Sequence, residues 1–365
     1  MPFDTLMKKR LLYYPSLVLL LAISCNLLSE TSAYAQTLVW QDEFNSATPD
    51  SMVWTYDFGD GCQRSLCGWG NAELQNYTSR SQNVRIDSGK LIIEARRENY
   101  GSSSFTSGRI KSEGRMHFKY GTLEARIKIP NLANGLWPAF WTLGTIGGVW
   151  PSIGEIDIME MGSQSARLAN LINKQATSAL HWSSNGNHTS TVGVVNATVD
   201  LNNDYHLYKL VWTSQSISFY LDNVQFYTYN ISNPATNSLE EFHQPHFMLL
   251  NMAVGGSYTG LLNPNDVTAT MPAQMLIDYV RLYQQPGDEL YLASNYSTNG
   301  NIGVFTETTP LTDSVTSNNN STLSYWNNLS AISGAAPFEG NNVWAVRANS
   351  GSWFGMGLDN KYINF

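Results

Sequence analysis

Between Gly121 and Pro130 the apolar residues Leu123, Ala125, Ile127 and Ile129 alternate with Glu124, Arg126 and Lys128. Side chains of a strand point to opposite faces in turn, so this segment predicts a strand with one face in a core and the other in water. Similar stretches recur at Leu91 to Ala95, Leu207 to Thr213, Ile217 to Leu221, Phe247 to Val254 and Met275 to Tyr283. Gly, Pro, Asn, Asp and Ser punctuate them, and no strong amphipathic helix stands between. Many short strands without helices predict an all-β fold, two antiparallel sheets packed face to face as a curved β-sandwich of jelly-roll type.

A second stretch with strand composition carries acids instead of alternating charge. In Glu155-Ile156-Asp157-Ile158-Met159-Glu160, period two puts Glu155 and Asp157 on one face, with Ile156 and Ile158 on the other. Glu160 lies five residues after Glu155 and should point away from it, unless a β-bulge near Ile158 or Met159 takes up one extra residue. With that bulge all three carboxyls converge. Like charges so placed repel, and at least one carboxyl then keeps its proton at neutral pH while a neighbour ionises. Two carboxyls with separated pKa values are the equipment of a glycosidase, and a spacing of about 5 to 5.5 Å favours retention of anomeric configuration. Such a cluster could instead be solvated or hold calcium. Pro151 and Gly154 before it, and the apolar Ile156, Ile158 and Met161, describe a partly buried strand entered from a turn.

The chain has 365 residues, a formal net charge of −8 and only 14% charged residues. It carries no basic stripe for phosphates, which argues against a nucleic-acid partner. Eleven Trp and nineteen Tyr offer flat apolar faces with polar rims, suited to pyranose rings as well as to a β core. Cys62 and Cys67 are placed to form a short local bridge, with no His at metal-ligand spacing beside them.

Residues 1–35 read as an export signal. Lys8, Lys9 and Arg10 precede an apolar run, Leu17 to Ile23, too short to span a bilayer. Ala33-Tyr34-Ala35 has the form of a cleavage site, giving a secreted, extracellular protein. Leu21-Ala22-Ile23-Ser24-Cys25 also resembles a lipoprotein box, in which a lipidated Cys25 would attach the protein to a membrane surface. Residues 36–285 hold the strand-rich domain. Residues 286–365 turn rich in Ser, Thr and Asn and read as a linker plus a partial second β domain, with a carbohydrate-binding role as the functional expectation.

Over residues 36–285 the chain resembles glycoside hydrolase family 16, and within it the laminarinase-like endo-β-1,3-glucanases. The likeness is carried by Trp40-Gln41-Asp42-Glu43-Phe44, Trp69-Gly70-Asn71-Ala72-Glu73-Leu74-Gln75, Gly108-Arg109-Ile110-Lys111-Ser112 and Tyr120-Gly121-Thr122-Leu123-Glu124-Ala125-Arg126. Gly135-Leu136-Trp137-Pro138-Ala139-Phe140-Trp141, the acidic run, Asn251-Met252-Ala253-Val254-Gly255-Gly256 and Asp278-Tyr279-Val280-Arg281-Leu282-Tyr283 follow in order. The resemblance implies an open cleft across a concave sheet, with Glu155 as nucleophile, Glu160 as acid/base and Asp157 between them tuning their protonation. It implies Trp137, Trp141 and Trp150 as sugar-stacking candidates, Asn71 and Arg109 as hydrogen-bond donors, and His181 near the acids. It further implies a structural calcium at Glu43, Asp278 and a backbone carbonyl near Gly89, with no cofactor needed for catalysis.

The implied substrate is a neutral β-1,3-glucan of laminarin type. Relatives also act on mixed-linkage β-glucan, agarose, porphyran or carrageenan, and a non-catalytic β-glucan-binding protein could use the same scaffold. Sulfated galactans call for a basic cleft, whereas the segments flanking the acids, 144–152 and 162–174, hold only Arg167 and Lys174.

Overall fold

A computed structural model describes residues 35–234 and 238–292, together with the backbone of short strands at 301–303, 329–332, 345–348, 356–358 and 361–363. The export signal, Cys25 and most of 293–365 lie outside the described residues. Among the described residues no helix is long and apolar enough to cross a membrane.

Two large sheets form the body, and the predicted strands are all present within them. One runs in the order Val224–Asn230, Ser216–Leu221, His206–Trp212, Gly121–Lys128, Ala273–Gln284, Lys90–Tyr100, Ser103–Ser107 and Gln75–Tyr77. Thr37–Asp42 also pairs with Ala273–Gln284, and Val84–Asp87 with Lys90–Tyr100. The second runs Asn187–Asn196, Gln175–Ser184, Glu155–Met161, Leu136–Gly144, His246–Val254, Arg109–Lys111 and Thr55–Tyr56. Met116–Lys119 joins it through His246–Val254 and pairs in turn with Glu289–Leu292, so strand pairing runs past residue 285. The one α-helix among the described residues, Gln164–Leu168, is five residues long and capped by Ser163, whose side chain accepts from the Ala166 N–H.

The core lies between these sheets. Leu123, Ala125 and Ile127 enter it from the first sheet, as their alternation predicts, and meet Phe140, Ile156, Leu180, Leu250 and Met252 from the second. Each such side chain is fully or almost fully buried, which stabilises the fold by about 1.5–3 kcal/mol apiece for the larger ones. Trp212 is fully buried, edge-on to Phe118, and donates its indole N–H to the carbonyl of Phe242 at 3.0 Å. Glu124, on the supposedly wet face, is covered as well; the hydroxyl of Tyr283 reaches it at 3.4 Å.

Two glycines bracket the acidic strand. Gly154 has φ +77°, and a Cβ there would stand 2.7 Å from the Cβ of Glu241. Gly162 has φ +97°, and a Cβ would stand 2.0 Å from the Leu136 carbonyl oxygen. A side chain at either position would meet both strain and a clash, so these residues fix where the strand begins and ends. Cys62 and Cys67 are bridged, as expected. Beyond residue 292, Asn301–Gly303, Leu329–Ile332 and Ala345–Ala348 form a three-stranded antiparallel sheet, and Met356–Leu358 pairs with Lys361–Ile363.

Candidate active site

The bulge that Glu160 requires is present. Across to Leu136–Gly144, Trp141 faces Asp157 while its neighbour Phe140 faces Met159, leaving Ile158 as the extra residue. On the other flank Asp157 faces Ala179 and Glu160 faces Thr177, so two intervening residues, Ile158 and Met159, stand against one, Ser178. The disrupted ladder leaves the Ile158 carbonyl to be satisfied, and the Ser178 hydroxyl donates to it at 2.7 Å. Ile156, Ile158, Met159 and Met161 all enter the core, so the strand keeps its apolar anchorage while Glu155, Asp157 and Glu160 share the other face.

Each glutamate is held by a tryptophan. The Trp137 indole donates to Glu160 Oε1 at 2.9 Å, and the Trp150 indole donates to Glu155 Oε2 at 2.6 Å. Asp157 is buried between them, and its Oδ2 lies 3.3 Å from His181 Nε2 without an aligned hydrogen bond. Burial first, then the neighbouring charge of Asp157, pushes Glu155 up to about 8, against the favourable His181 and Trp150. Burial and the charge of Glu155 push Glu160 up to about 7, with the Trp137 N–H opposing. Burial and the charge of Glu160 raise Asp157 well above the usual carboxylate range. The three groups therefore share fewer than three negative charges at neutral pH, the separation of acid and base that their convergence predicts.

The sequence-derived binding residues divide into cleft and support. Trp137 is nearly buried and stacks on Tyr258, ring centroids 4.6 Å apart; Tyr258 in turn hydrogen-bonds Thr177 at 2.8 Å. Trp141 is half-buried and donates its N–H to Asn251 Oδ1 at 2.7 Å. Trp150 is 48% exposed, which leaves much of its surface free for a sugar. His181 sits within the strand Gln175–Ser184, opposite Glu155. Asn71 is exposed; its carbonyl accepts the backbone and side-chain donors of Ser257, both at 2.8 Å.

Arg109, the other expected hydrogen-bond donor, is held by protein groups. Its guanidinium is buried beside Asp57 at 3.7 Å and Glu73 at 3.5 Å, donates to the Tyr77 hydroxyl at 3.3 Å, and lies 5.5 Å from the Trp141 ring centroid. Glu73 also accepts from Gln75 Nε2 at 2.7 Å and from the Tyr77 hydroxyl at 3.0 Å. Sequence reading missed this network, and with it Asn251, Tyr258 and His188. His188 Nε2 stands 2.9 Å from His181 Nδ1, and its ring lies against Trp150 at 4.6 Å.

Glu43, Gly89 and Asp278 belong to the other sheet and its turns. Arg281 binds both oxygens of Glu43, at 2.7 and 3.1 Å, and Arg126 binds Asp278 Oδ2 at 2.6 Å. Calcium bound by these carboxylates would take the place of the two guanidinium groups.

The sequence profile of Glycosyl hydrolases family 16 matches residues 71–281, which contain the three acids, Trp137, Trp141, Trp150 and His181. The chain belongs to this family. It is 35% identical to a β-glucanase of Rhodothermus marinus over 76% of this chain and 96% of that one. It is 34% identical to glucan endo-1,3-β-glucosidase A1 of Niallia circulans over 72% of its own length, but spans only 40% of that longer protein. Among solved structures, the Bacteroides ovatus mixed linkage glucan family 16 protein in complex with a G4G4G3G product matches at TM-score 0.60 and 36% identity, covering 67% of this chain and all of that one. Family membership also accounts for the jelly-roll topology of the two sheets.

Proposed function

We propose that the protein is a secreted, retaining endo-glycosidase that hydrolyses β-1,3-glucan of laminarin type by double displacement. The bulged acidic strand carries this reading, because it turns Glu155 and Glu160 onto one face and gives each its own indole donor. Glu160 in its protonated form delivers a proton to the departing glycosidic oxygen while ionised Glu155 attacks the anomeric carbon, so the C–O bond breaks as the glycosyl-enzyme ester forms. Burial and the charge of Asp157 hold a proton on Glu155, so that proton must pass to Asp157, itself raised well above the usual carboxylate range, before attack; His181 and the Trp150 N–H favour the ionised Glu155 that results. Glu160, now a carboxylate, takes a proton from water as that water attacks the ester and releases the sugar.

Support for a neutral glucan comes from the cleft flanks, which carry only two basic residues, Arg167 and Lys174, and from the two glucan-acting relatives. The likeness to the Bacteroides ovatus protein supports a second reading, mixed-linkage β-glucan, on the same catalytic residues. Export rests on the N-terminal signal, with a lipid-anchored form at Cys25 as its alternative. Release of reducing sugar from laminarin, lichenan, agarose and carrageenan, by wild type and by Glu155→Gln and Glu160→Gln, tests the proposal. Fast laminarin cleavage lost in both variants is the expected result; near-normal turnover in either variant would reject the assignment.

A further inference from the structure

Glu155, Asp157 and His181 each present a ligand atom, and these atoms all lie within 4.8 Å of one another. Acid clusters alone seldom imply a ligand, but two further observations single this one out. Asp157 is 3% exposed, and its Oδ2 has no hydrogen-bond partner although it is aimed at His181 Nε2. On the far side of the imidazole, His188 Nε2 holds His181 Nδ1 at 2.9 Å, leaving Nε2 as the atom directed at the carboxylates. Metal-binding histidines are held in this way, by a partner on the other ring nitrogen that fixes ring orientation and tautomer.

We propose that Glu155, Asp157 and His181 form a binding site for a borderline divalent ion of the zinc class, and that this ion and the polysaccharide exclude each other. The inference rests on the proposed function only where it concerns inhibition; the site itself stands on the geometry. One imidazole and two carboxylates suit zinc, whereas calcium and magnesium prefer all-oxygen sets. Ligand atoms on a tetrahedral zinc sit about 3.4 Å apart, given bonds of roughly 2.0–2.2 Å. His181 Nε2 and Asp157 Oδ2 already stand 3.3 Å apart, so Glu155 is the arm that must close. On binding, His181 Nδ1 carries the proton and donates it to His188 Nε2, which frees the Nε2 lone pair. The fourth position opens to the cleft for water, and Glu155, held by the ion, can no longer attack an anomeric carbon. The ion thus acts as a reversible inhibitor.

Calorimetric titration of the full chain, produced without a histidine tag, with zinc chloride reads the site independently of turnover. One zinc ion per chain is expected, with binding blocked by a laminari-oligosaccharide. His181→Asn should weaken it more than tenfold, and His188→Ala by about 10–100-fold through the lost orientation. Circular dichroism confirms that each variant is folded. Absence of binding, unchanged affinity in folded His181→Asn, or equal affinity for calcium would overturn the site. A chain that binds zinc as described but releases no sugar from any glucan would remove the proposed function and leave the metal site standing; a zinc-insensitive glucanase would do the reverse.

Discussion

The Trp137 indole N–H donates to Glu160 Oε1 at 2.9 Å, so a ring that floors the cleft also biases the carboxyl assigned as acid/base. Donation to the ionised form lowers the pKa of Glu160, against burial and the charge of Glu155, which raise it. Trp137→Phe keeps an aromatic ring on Tyr258 and removes the donor. The basic limb of the kcat profile, set by the proton on Glu160, should move to higher pH. The optimal kcat should fall by about 10–100-fold, as expected for one hydrogen bond to a charged group worth roughly 1.5–3 kcal/mol. A pH–rate profile on laminari-oligosaccharides checks both effects.

The raised carboxyls make the folded state sensitive to alkali. An unfolded chain releases the protons of Glu155 and Glu160 near 4.5, whereas the folded protein holds them to about 8 and 7. The folded state binds more protons between these limits, so this contribution to stability is complete below about 4.5 and drains away as pH rises through 7 to 8. Glu160→Gln removes one such group and one repulsive charge. It should raise stability at pH near 8 by on the order of 1–2 kcal/mol, after allowing for the partial exposure of the side chain, and much less near pH 4.5. Thermal unfolding of both proteins across pH measures this.

Arg109 should prove as important to the fold as to the substrate. Its guanidinium lies among buried Asp57, Glu73 and Tyr77, and Arg109→Ala would leave buried Glu73 without its cation, while Asp57 keeps Lys111 at 2.8 Å and Arg64 at 3.1 Å. A loss of about 3–5 kcal/mol is expected in denaturant unfolding. Arg109→Lys should recover only part of it, because a point charge cannot serve three partners in a plane.

The catalytic geometry was legible in sequence because it is local. Six residues with period two, one of them out of phase, require a bulge, and the structure places it at Ile158. What escaped reading depends on partners far along the chain. Asn251 meets Trp141 from 110 positions away, and Tyr258 meets Trp137 through a stack that no strand period encodes. Glu73 and Arg109 stand in separate motifs, and only the long-range packing around Tyr77 and Trp141 shows that they are buried as a pair. His188 has no local signal either, since its contact with His181 arises when a hairpin folds Asn187–Asn196 back on Gln175–Ser184. The motif around Asn251 did carry family likeness, and following it two residues past Gly256 would have found Tyr258.

The central claim is that Glu155 and Glu160 work on one glycosidic bond from the same bulged strand, as nucleophile and acid/base. Proton NMR of a laminari-oligosaccharide digest, followed from the first seconds, reads the anomeric form of the sugar as it leaves the enzyme. The account predicts the β-anomer first, with the α-anomer growing in only by mutarotation. An initial α-anomer would mean that water attacks directly, and would contradict the assignment of Glu155 as nucleophile.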